Sequence, residues 1–282
     1  MQNKAVAAGL AAFLTLTVPA AARAAESGDA ESLAIMRSMN AGLKAMWMDI
    51  RLESIDYLTL GTGRPSDRLL NQPFRWVPDD ARRRAAGTSI TWLIDPSWGV
   101  ATASGLSQET TAEAIGRAMA TWASDGCLRG TPLIERPHPG GDVTVTDYFF
   151  GTGGFGNPFA ADVVHGGWMP ADTPFFDRST VALSATYVFI DPVTGEPTDV
   201  DGDGNLDAAL NEIYYNDAFT WSHGGALPTV DVETTALHEV GHALDLGHFG
   251  SPPEAVMNPV YSGVRRELEP LDHAGLCTVW GR

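Results

Sequence analysis

The sequence predicts an α+β domain in which one mixed, twisted sheet packs against a few helices. Two patterns support this class: short runs in which apolar residues alternate, as in half-buried strands, and longer runs in which they recur on one helix face. The predicted strands are residues 47–58, 88–95, 142–150 and 186–190. The predicted helices are residues 30–46, residues 107–124 with Ser107 as N-cap, a helix around His238, and a closing helix from Pro270.

The chain of 282 residues suits one large domain with a smaller appendage. Residues 1–25 combine Lys4, an apolar run and the small-residue pattern Ala22-Arg23-Ala24, which predicts a secretory signal peptide, with a retained anchor as the alternative. The apolar run is shorter than a membrane span, and no later stretch approaches one. We expect an exported protein, extracellular or periplasmic. Residues 26–73 are then a propeptide or a permanent extension, and residues 74–282 the main domain.

The chain is strongly acidic, with a formal charge of −17. Without residues 1–25, 16 basic residues stand against 35 acidic ones, which gives −19. No Lys or Arg occurs from residue 179 to residue 263. Nucleic acid and anionic lipid require a basic surface, so we exclude both as partners, and we expect a monomer.

Residues 231–261 contain the candidate metal ligands and the candidate general base. His238 and His242 are four residues apart, which places both imidazoles on one helix face and suits zinc. Glu239 is adjacent, so its carboxylate can reach a water at that metal and act as general base. The third ligand must come from beyond the helix, and His248 is the candidate if the chain turns within residues 244–247. Met257 could pack beneath the imidazoles as an apolar floor.

This pattern resembles the metzincin zinc peptidases, and the segment AVMNPVY around Met257 resembles their matrixin branch. One residue departs from the family pattern, because Asp245 stands where the family has Gly at the helix end. Asp tolerates the left-handed conformation at a cost of up to roughly 1–2 kcal/mol, so we expect a strained but usable turn. The resemblance implies a metzincin-like catalytic domain with an active-site helix and a C-terminal helix.

The same resemblance implies where a substrate binds. Pro259 and Tyr261 correspond to the wall of the pocket that accepts the side chain after the cleaved bond. Val163 and Val164 correspond to an edge strand that pairs with the substrate backbone. His165 falls where the family has one ligand of a structural zinc, but its usual partners are missing from the sequence, so we expect a hydrogen-bonded residue at the rim instead.

Two further features carry chemistry. The loop TDVDGDGNLD matches a calcium-binding pattern through Asp199, Asp201, Asp203, Asn205 and Asp207, although no Glu follows at the twelfth position and no second helix is predicted. We interpret it as an isolated Ca²⁺ loop, with a solvated acidic turn as the alternative. Cys127 and Cys277 predict one disulfide in an exported protein, and a thiolate that caps zinc is the alternative.

The sequence therefore predicts a secreted zinc endopeptidase that acts on proteins or peptides. Zn²⁺ is the catalytic cofactor and Ca²⁺ a structural one. The alternative from another class is a catalytically weak or inactive zinc- and calcium-binding extracellular domain, an adhesion or scaffold module that has lost turnover through Asp245. A hydrolase of another bond with the same zinc chemistry is a third interpretation.

Overall fold

A computed structural model describes residues 28–61, 66–83, 87–96, 106–225, 228–250 and 254–281. The predicted signal peptide lies outside these residues. The strands are β1 (Ile50–Thr59), β2 (Asp67–Arg68), β3 (Phe74–Arg75), β4 (Ile90–Ile94), β5 (Leu133–Glu135), β6 (Val163–Met169), β7 (Thr180–Phe189), β8 (Leu206–Asn216), β9 (Trp221–Ser222) and β10 (Val230–Asp231). The helices are α1 (Gly28–Ala45), α2 (Gln108–Ala123), α3 (Thr146–Phe150), α4 (Val232–Ala243) and α5 (Pro270–Trp280).

One sheet dominates the fold, with the strand order β2-β1-β7-β8-β6-β4-β5 and with β3 paired to β8. Strand β7 is antiparallel to both of its neighbours, β1 and β8. Strands β6, β4 and β5 continue the sheet in parallel. The predicted α+β class with a mixed sheet is confirmed. The sheet includes β1, so the segment predicted as an extension is part of the same sheet as the main domain.

The two larger of the three buried apolar clusters in the described residues cover the sheet. Helix α1 contributes Met36, Met39 and Leu43 to one cluster, together with Tyr57 of β1. Helices α2, α4 and α5 contribute to the other, which includes Leu58 of β1. Successive residues of a strand point to opposite faces, and so Tyr57 and Leu58 enter different clusters. Within the described part of the chain, no helix is both long enough and apolar enough to cross a membrane.

Several predicted elements are confirmed. Helix α2 begins after Ser107, whose Oγ accepts the Thr110 backbone N–H at 3.1 Å. Helix α5 begins at Pro270 with reciprocal capping between Glu269 and Asp272. The predicted strands at residues 47–58, 88–95 and 186–190 correspond to β1, β4 and the second half of β7.

The strand predicted at residues 142–150 is wrong, because Thr146–Phe150 form helix α3. The physical reason is a buried carboxylate: Glu212 accepts the backbone N–H of Val145 at 2.6 Å and that of Thr146 at 2.9 Å, which satisfies the free donors at a helix start.

The edge role expected for Val163 and Val164 is also wrong. Both residues lie in β6, which pairs with β4 on one side and β8 on the other, so their backbone groups are already used within the sheet. His165 is in the same strand and is fully buried rather than at a rim, and its Nδ1 lies 2.9 Å from the Tyr215 hydroxyl. Burial lowers the pKa of His165 to about 3.

Candidate metal centre and active site

Helix α4 carries the predicted ligands, and its C-terminal end determines where the chain goes next. The Asp245 backbone N–H donates to the His242 carbonyl at 2.9 Å, and the Leu246 N–H donates to the Gly241 carbonyl at 3.0 Å. Asp245 itself is left-handed, with φ of +65°. Together they form a Schellman-type helix C-terminus, in which a residue with left-handed backbone conformation reverses the direction of the chain. The turn falls within residues 244–247, where the sequence predicted it, and Asp245 adopts the conformation that Gly adopts most easily.

The turn brings the three histidines together. Nε2 of His242 lies 3.1 Å from Nε2 of His238 and 3.1 Å from Nε2 of His248. His238 and His242 are only 1% exposed, and His248 is half-buried. The structure thus places all three predicted ligand atoms around one point.

Backbone carbonyls determine the tautomer of two of these imidazoles. Nδ1 of His238 lies 2.7 Å from the Val256 carbonyl, and Nδ1 of His242 lies 2.7 Å from the Leu246 carbonyl. A carbonyl only accepts, so each Nδ1 carries the proton and each Nε2 presents a lone pair. Lone pairs that converge at 3.1 Å repel one another unless a cation lies between them. Three imidazole nitrogens with a further open position are a ligand set that zinc prefers.

The charge state of the histidines also fits a metal. Burial, followed by the charges of the neighbouring imidazoles, lowers the pKa of His238 well below its ordinary value. Burial likewise lowers the pKa of His242 and of His248. The rings are therefore neutral at pH 7, which is the state that binds metal.

Glu239 lies beside this cluster and is 0% exposed. Burial, followed by the charge of Asp56, raises the pKa of its carboxyl well above the ordinary value. The Leu58 backbone N–H faces the carboxyl and lowers its pKa in part, yet neither oxygen has a partner at hydrogen-bonding geometry among the described residues. We therefore regard the approach of Leu58 as an electrostatic contact rather than a directed hydrogen bond. A buried carboxyl without a directed partner is suited to transfer a proton.

Met257 packs against the active-site helix, as the sequence predicted for a floor. It is fully buried, and a Cβ placed on Gly241 would lie 2.2 Å from its Sδ. Glycine at position 241 therefore permits the close approach of the Met257 loop to α4.

Asp272 supports the Met257 loop, and the sequence analysis missed it. Its fully buried carboxylate accepts the backbone N–H of Val256 at 2.8 Å and that of Met257 at 3.1 Å. The Val256 carbonyl in turn accepts a hydrogen bond from His238 Nδ1. Asp272 thus orients a metal ligand through one intervening peptide. Its position two residues after Pro270 marks a helix start, and no local signal in the sequence links it to His238.

Three tryptophan indoles bind the carbonyls of α4 and its C-terminal cap. Trp122 donates to the Leu237 carbonyl at 2.8 Å. Trp76 donates to the Ala243 carbonyl at 2.8 Å, and Trp280 donates to the Leu244 carbonyl at 3.0 Å. The last two bonds satisfy carbonyls at the end of the helix, where intrahelical partners run out.

Strand β1 lies directly over the centre, which the sequence analysis did not foresee. The Pro259 carbonyl accepts the Thr59 backbone N–H at 3.1 Å, and the Tyr261 N–H donates to the Thr59 carbonyl at 2.8 Å. Asp56 Oδ1 lies 3.9 Å from Nδ1 of His242. The two residues predicted to form the wall of a substrate pocket are thus already bonded to the chain's own N-terminal segment.

The acidic loop brings together only part of the predicted calcium ligands. Carboxylate oxygens of Asp199, Asp201 and Asp207 lie within 4.8 Å of one another. Asp203 instead pairs with Arg75 at 3.3 Å, and the Asn205 side chain hydrogen-bonds to Asp203. Burial, followed by the charge of Asp203, raises the pKa of Asp201, which indicates repulsion that a cation would relieve.

Asp207 has a second partner that the sequence analysis also missed. Arg82 lies 2.7 Å from its Oδ2, and the Thr198 hydroxyl donates to the same carboxylate at 2.5 Å. Part of the charge of the acidic loop is thus neutralised by the protein itself.

Cys127 and Cys277 are joined in a disulfide across 150 residues of sequence. It ties the turn after α2 to helix α5. His273 lies beside it, with Nδ1 2.7 Å from the Asp125 carboxylate. The alternative interpretation of a cysteine near the three histidines has no counterpart in the described residues, in which both cysteines form this bond.

Comparison with known proteins agrees with this geometry. The sequence model of the family Matrixin matches residues 188–281. Matrix metalloproteinase-19 of Mus musculus is 30% identical over 132 residues, which is 44% of this chain and 22% of that protein. Karilysin of Tannerella forsythia is 28% identical over 132 residues, 44% of this chain and 24% of karilysin. Matrix metalloproteinase-25 of Mus musculus is 35% identical over 77 residues, 25% of this chain and 12% of that protein.

The chain spans less than a quarter of the length of these relatives. The matched region nevertheless contains all of α4, the left-handed turn to His248, the Met257 loop and α5. These are the elements that build the histidine cluster. Residues 188–281 are thus similar to the matrixins in sequence, and they contain this arrangement.

Proposed function

We propose that this protein is a secreted zinc-dependent metalloendopeptidase that hydrolyses peptide bonds in proteins. The observation that carries the proposal is the convergence of three Nε2 atoms, those of His238, His242 and His248, beside the buried carboxyl of Glu239. Lone pairs on the histidines and a proton acceptor next to them are what metal-assisted hydrolysis requires.

The protein's own residues have distinct tasks in this mechanism. Zinc, when bound by the three histidines, polarises a peptide carbonyl and makes a water molecule more acidic. Glu239 accepts the proton of that water and delivers it to the leaving amine. Burial raises the pKa of this carboxyl, which strengthens it as a proton acceptor. The carbonyls of Val256 and Leu246 keep two imidazoles oriented throughout.

A substrate would bind as an extended peptide along the segment that contains Pro259 and Tyr261. The Pro259 carbonyl and the Tyr261 N–H are two residues apart and bind one extended residue, Thr59, between them. The same pair of groups can bind a residue of a substrate after displacement of Thr59. The Tyr261 hydroxyl accepts the Asp231 N–H at 2.9 Å, which fixes the ring that would form the wall.

We propose in addition that Ca²⁺ binds between Asp199, Asp201 and Asp207. Three carboxylates within 4.8 Å of one another support a hard cation, although Arg82 competes for Asp207. Secretion as a monomer remains part of the proposal and is supported by the predicted signal peptide and the strongly acidic chain.

Hydrolysis of casein by zinc-loaded protein tests the proposed function. We expect cleavage by the wild type, its loss in Glu239→Ala, and its loss with a chelator followed by recovery with Zn²⁺. Glu254→Ala is the matched control, because Glu254 is an exposed carboxyl whose ion pair within the described part of the chain is with Arg265.

Two results would contradict the proposal. Equal cleavage by the wild type and Glu239→Ala would exclude Glu239 as the base. The second result concerns a protein whose centre is not covered by β1. If that protein binds zinc fully but cleaves no peptide, the non-catalytic binding domain is favoured instead.

A further inference from the structure

Four side chains with metal-binding atoms meet where α5 lies against the turn that follows α2. They are Asp125 and Cys127 of that turn and His273 and Cys277 of α5. Their ligand atoms all lie within 4.8 Å of one another. None of the four residues belongs to the histidine cluster, and the proposed peptidase mechanism uses none of them. They are therefore a separate group of candidate metal ligands.

The spacing of two of these atoms fits a shared zinc ion. His273 and Cys277 are four residues apart on α5, which places both side chains on one helix face. Nε2 of His273 lies 3.5 Å from Sγ of Cys277. Tetrahedral zinc, with bonds of about 2.0–2.1 Å to nitrogen and about 2.3 Å to sulfur, places two such ligand atoms roughly 3.6 Å apart. The helix thus already holds an imidazole and a sulfur at the separation that one zinc ion requires.

Asp125 orients two of the candidate ligands. Its Oδ2 lies 2.7 Å from Nδ1 of His273, and its Oδ1 accepts the Cys127 backbone N–H at 2.9 Å. A carboxylate only accepts hydrogen bonds, so Nδ1 carries a proton and Nε2 of the neutral ring presents a lone pair on the side of Cys277. A carboxylate behind a ligating histidine is the usual arrangement at a zinc site.

The sulfurs become ligands when the disulfide is open, because the metal-binding form of cysteine is the thiolate. The Cα atoms of Cys127 and Cys277 lie 5.1 Å apart. Two thiolates on one tetrahedral zinc have sulfurs about 3.8 Å apart, a separation within reach of rotation about the two Cα–Cβ bonds. Two thiolates and one imidazole are a ligand set that zinc takes with its fourth position open.

We propose that Cys127, Cys277 and His273 form a second zinc site in the dithiol state of this protein, with Asp125 as a positioning residue, and that the disulfide excludes the metal. An external dithiol opens the disulfide and becomes a disulfide itself, and each cysteine sulfur gains one electron and one proton. Zn²⁺ then replaces the two thiol protons, which pass to solvent. The proposal does not depend on the peptidase function.

The site is accessible in the folded protein. The His273 side chain is 55% exposed, and both cysteines are half-buried rather than part of the core. A small dithiol and a hydrated metal ion can therefore approach without opening of the core, and a water molecule can occupy the fourth position on the metal.

Zinc at this site makes the same connection as the disulfide. The disulfide ties the turn after α2 to α5. Helix α5 also carries Asp272, whose carboxylate holds the Val256 peptide behind His238. A metal ion bound by Cys127 and by two side chains of α5 keeps that helix tied to the same turn. The chain would thus have a cross-link at this point in both oxidation states.

Cobalt is the probe for the site, because thiolate ligands give Co²⁺ a charge-transfer absorption in the near ultraviolet that imidazole ligands do not. The full exported chain is reduced with a dithiol, freed of excess reductant without oxygen and titrated with Co²⁺. We expect one equivalent of thiolate-bound Co²⁺ in the reduced wild type and none in the oxidised protein. Absence of the absorption from the reduced protein would overturn the proposal.

His248→Ala separates this site from the histidine cluster, since it removes one of the three converging imidazoles. The reduced variant should keep the full thiolate absorption. Its loss would show that the thiolates bind metal at the histidine cluster instead, which overturns the proposal and leaves the proposed function standing.

Two histidine variants provide a matched pair. His273→Ala should weaken thiolate-bound Co²⁺ at least tenfold, whereas His223→Ala, which replaces an exposed histidine beside Arg117, should leave the affinity within about twofold. Asp125→Asn keeps an oxygen for the Cys127 N–H but removes the charge behind Nδ1, and should weaken binding about 10–100-fold. Wild-type affinity in His273→Ala would overturn the ligand set, and wild-type affinity in Asp125→Asn would overturn the positioning role.

Alkylation tests the same site with zinc itself. Zn²⁺ should slow the reaction of both cysteines with iodoacetamide at least tenfold in the reduced wild type and in His223→Ala, and by no more than about threefold in His273→Ala, as followed by intact mass. Circular dichroism shows whether each reduced protein is folded. Equally fast alkylation with and without Zn²⁺ would overturn the proposal, and so would a reduced wild type that is unfolded without metal and stays unfolded with Zn²⁺.

Discussion

Glu212 should make the stability of this protein fall as pH rises. Its carboxylate is fully buried and accepts three hydrogen bonds, from the N–H groups of Val145 and Thr146 and from the Tyr214 hydroxyl. Burial outweighs these bonds and raises the pKa from 4.5 to about 7. The folded state therefore holds a proton that the unfolded state has already lost between those two values. Stability from this group is complete below pH 4.5 and declines as pH rises towards 7.

The size of the effect follows from the pKa difference. One pKa unit corresponds to about 1.4 kcal/mol, so the decline should reach roughly 3 kcal/mol. Glu212→Gln removes the titrating group and retains one acceptor. Urea unfolding followed by tryptophan fluorescence, in the Glu239→Ala background and with saturating Zn²⁺, should show that wild type loses about this amount relative to Glu212→Gln between pH 4.5 and 8. A difference that stays constant with pH would refute the reasoning.

Three further substitutions test the geometry around α4. Gly241→Ala should lower the free energy of unfolding in urea by about 1–3 kcal/mol, because the added Cβ overlaps Met257. Gly116→Ala, which has open space around it in α2, should raise the free energy of unfolding by about 0.5–1 kcal/mol. Equal effects of the two substitutions would contradict the close approach of Met257 to α4. Asp245→Gly should raise the free energy of unfolding by about 1 kcal/mol, because glycine relieves the left-handed strain, and the variant should still bind zinc. A variant less stable than the wild type would show that no strain is present. Asp272→Asn should weaken zinc binding about 10–100-fold in chelator competition, and unchanged affinity would exclude its role in orienting His238.

The histidine cluster was predictable from sequence because its geometry is mostly local. His238 and His242 share a helix face by spacing alone, and the six residues to His248 leave room only for a turn. Asp245 departs from the family's glycine, yet its left-handed conformation was expected from the few residues that tolerate it. Short sequence separations leave little conformational freedom, and so pattern and structure agree there.

Features that depend on distant pairing were not predictable. Residues 47–58 showed a strand pattern, but nothing in that pattern indicates that β1 pairs with β7 or crosses the centre. Val163 and Val164 illustrate the same limit, since an apolar run does not reveal whether a strand has one neighbour or two. Residues 142–150 alternate like a strand, and the carboxylate of Glu212, 66 residues away from Thr146, makes their start helical instead.

The indole bonds to α4 and its cap have a consequence for folding. Trp76, Trp122 and Trp280 reach carbonyls that are 167, 115 and 36 residues away in the chain. The end of the helix that carries His238 and His242 is therefore completed only when segments from both sides of it in sequence have docked. Formation of the histidine cluster is thus coupled to the folding of most of the described chain, and local helix formation alone does not complete it.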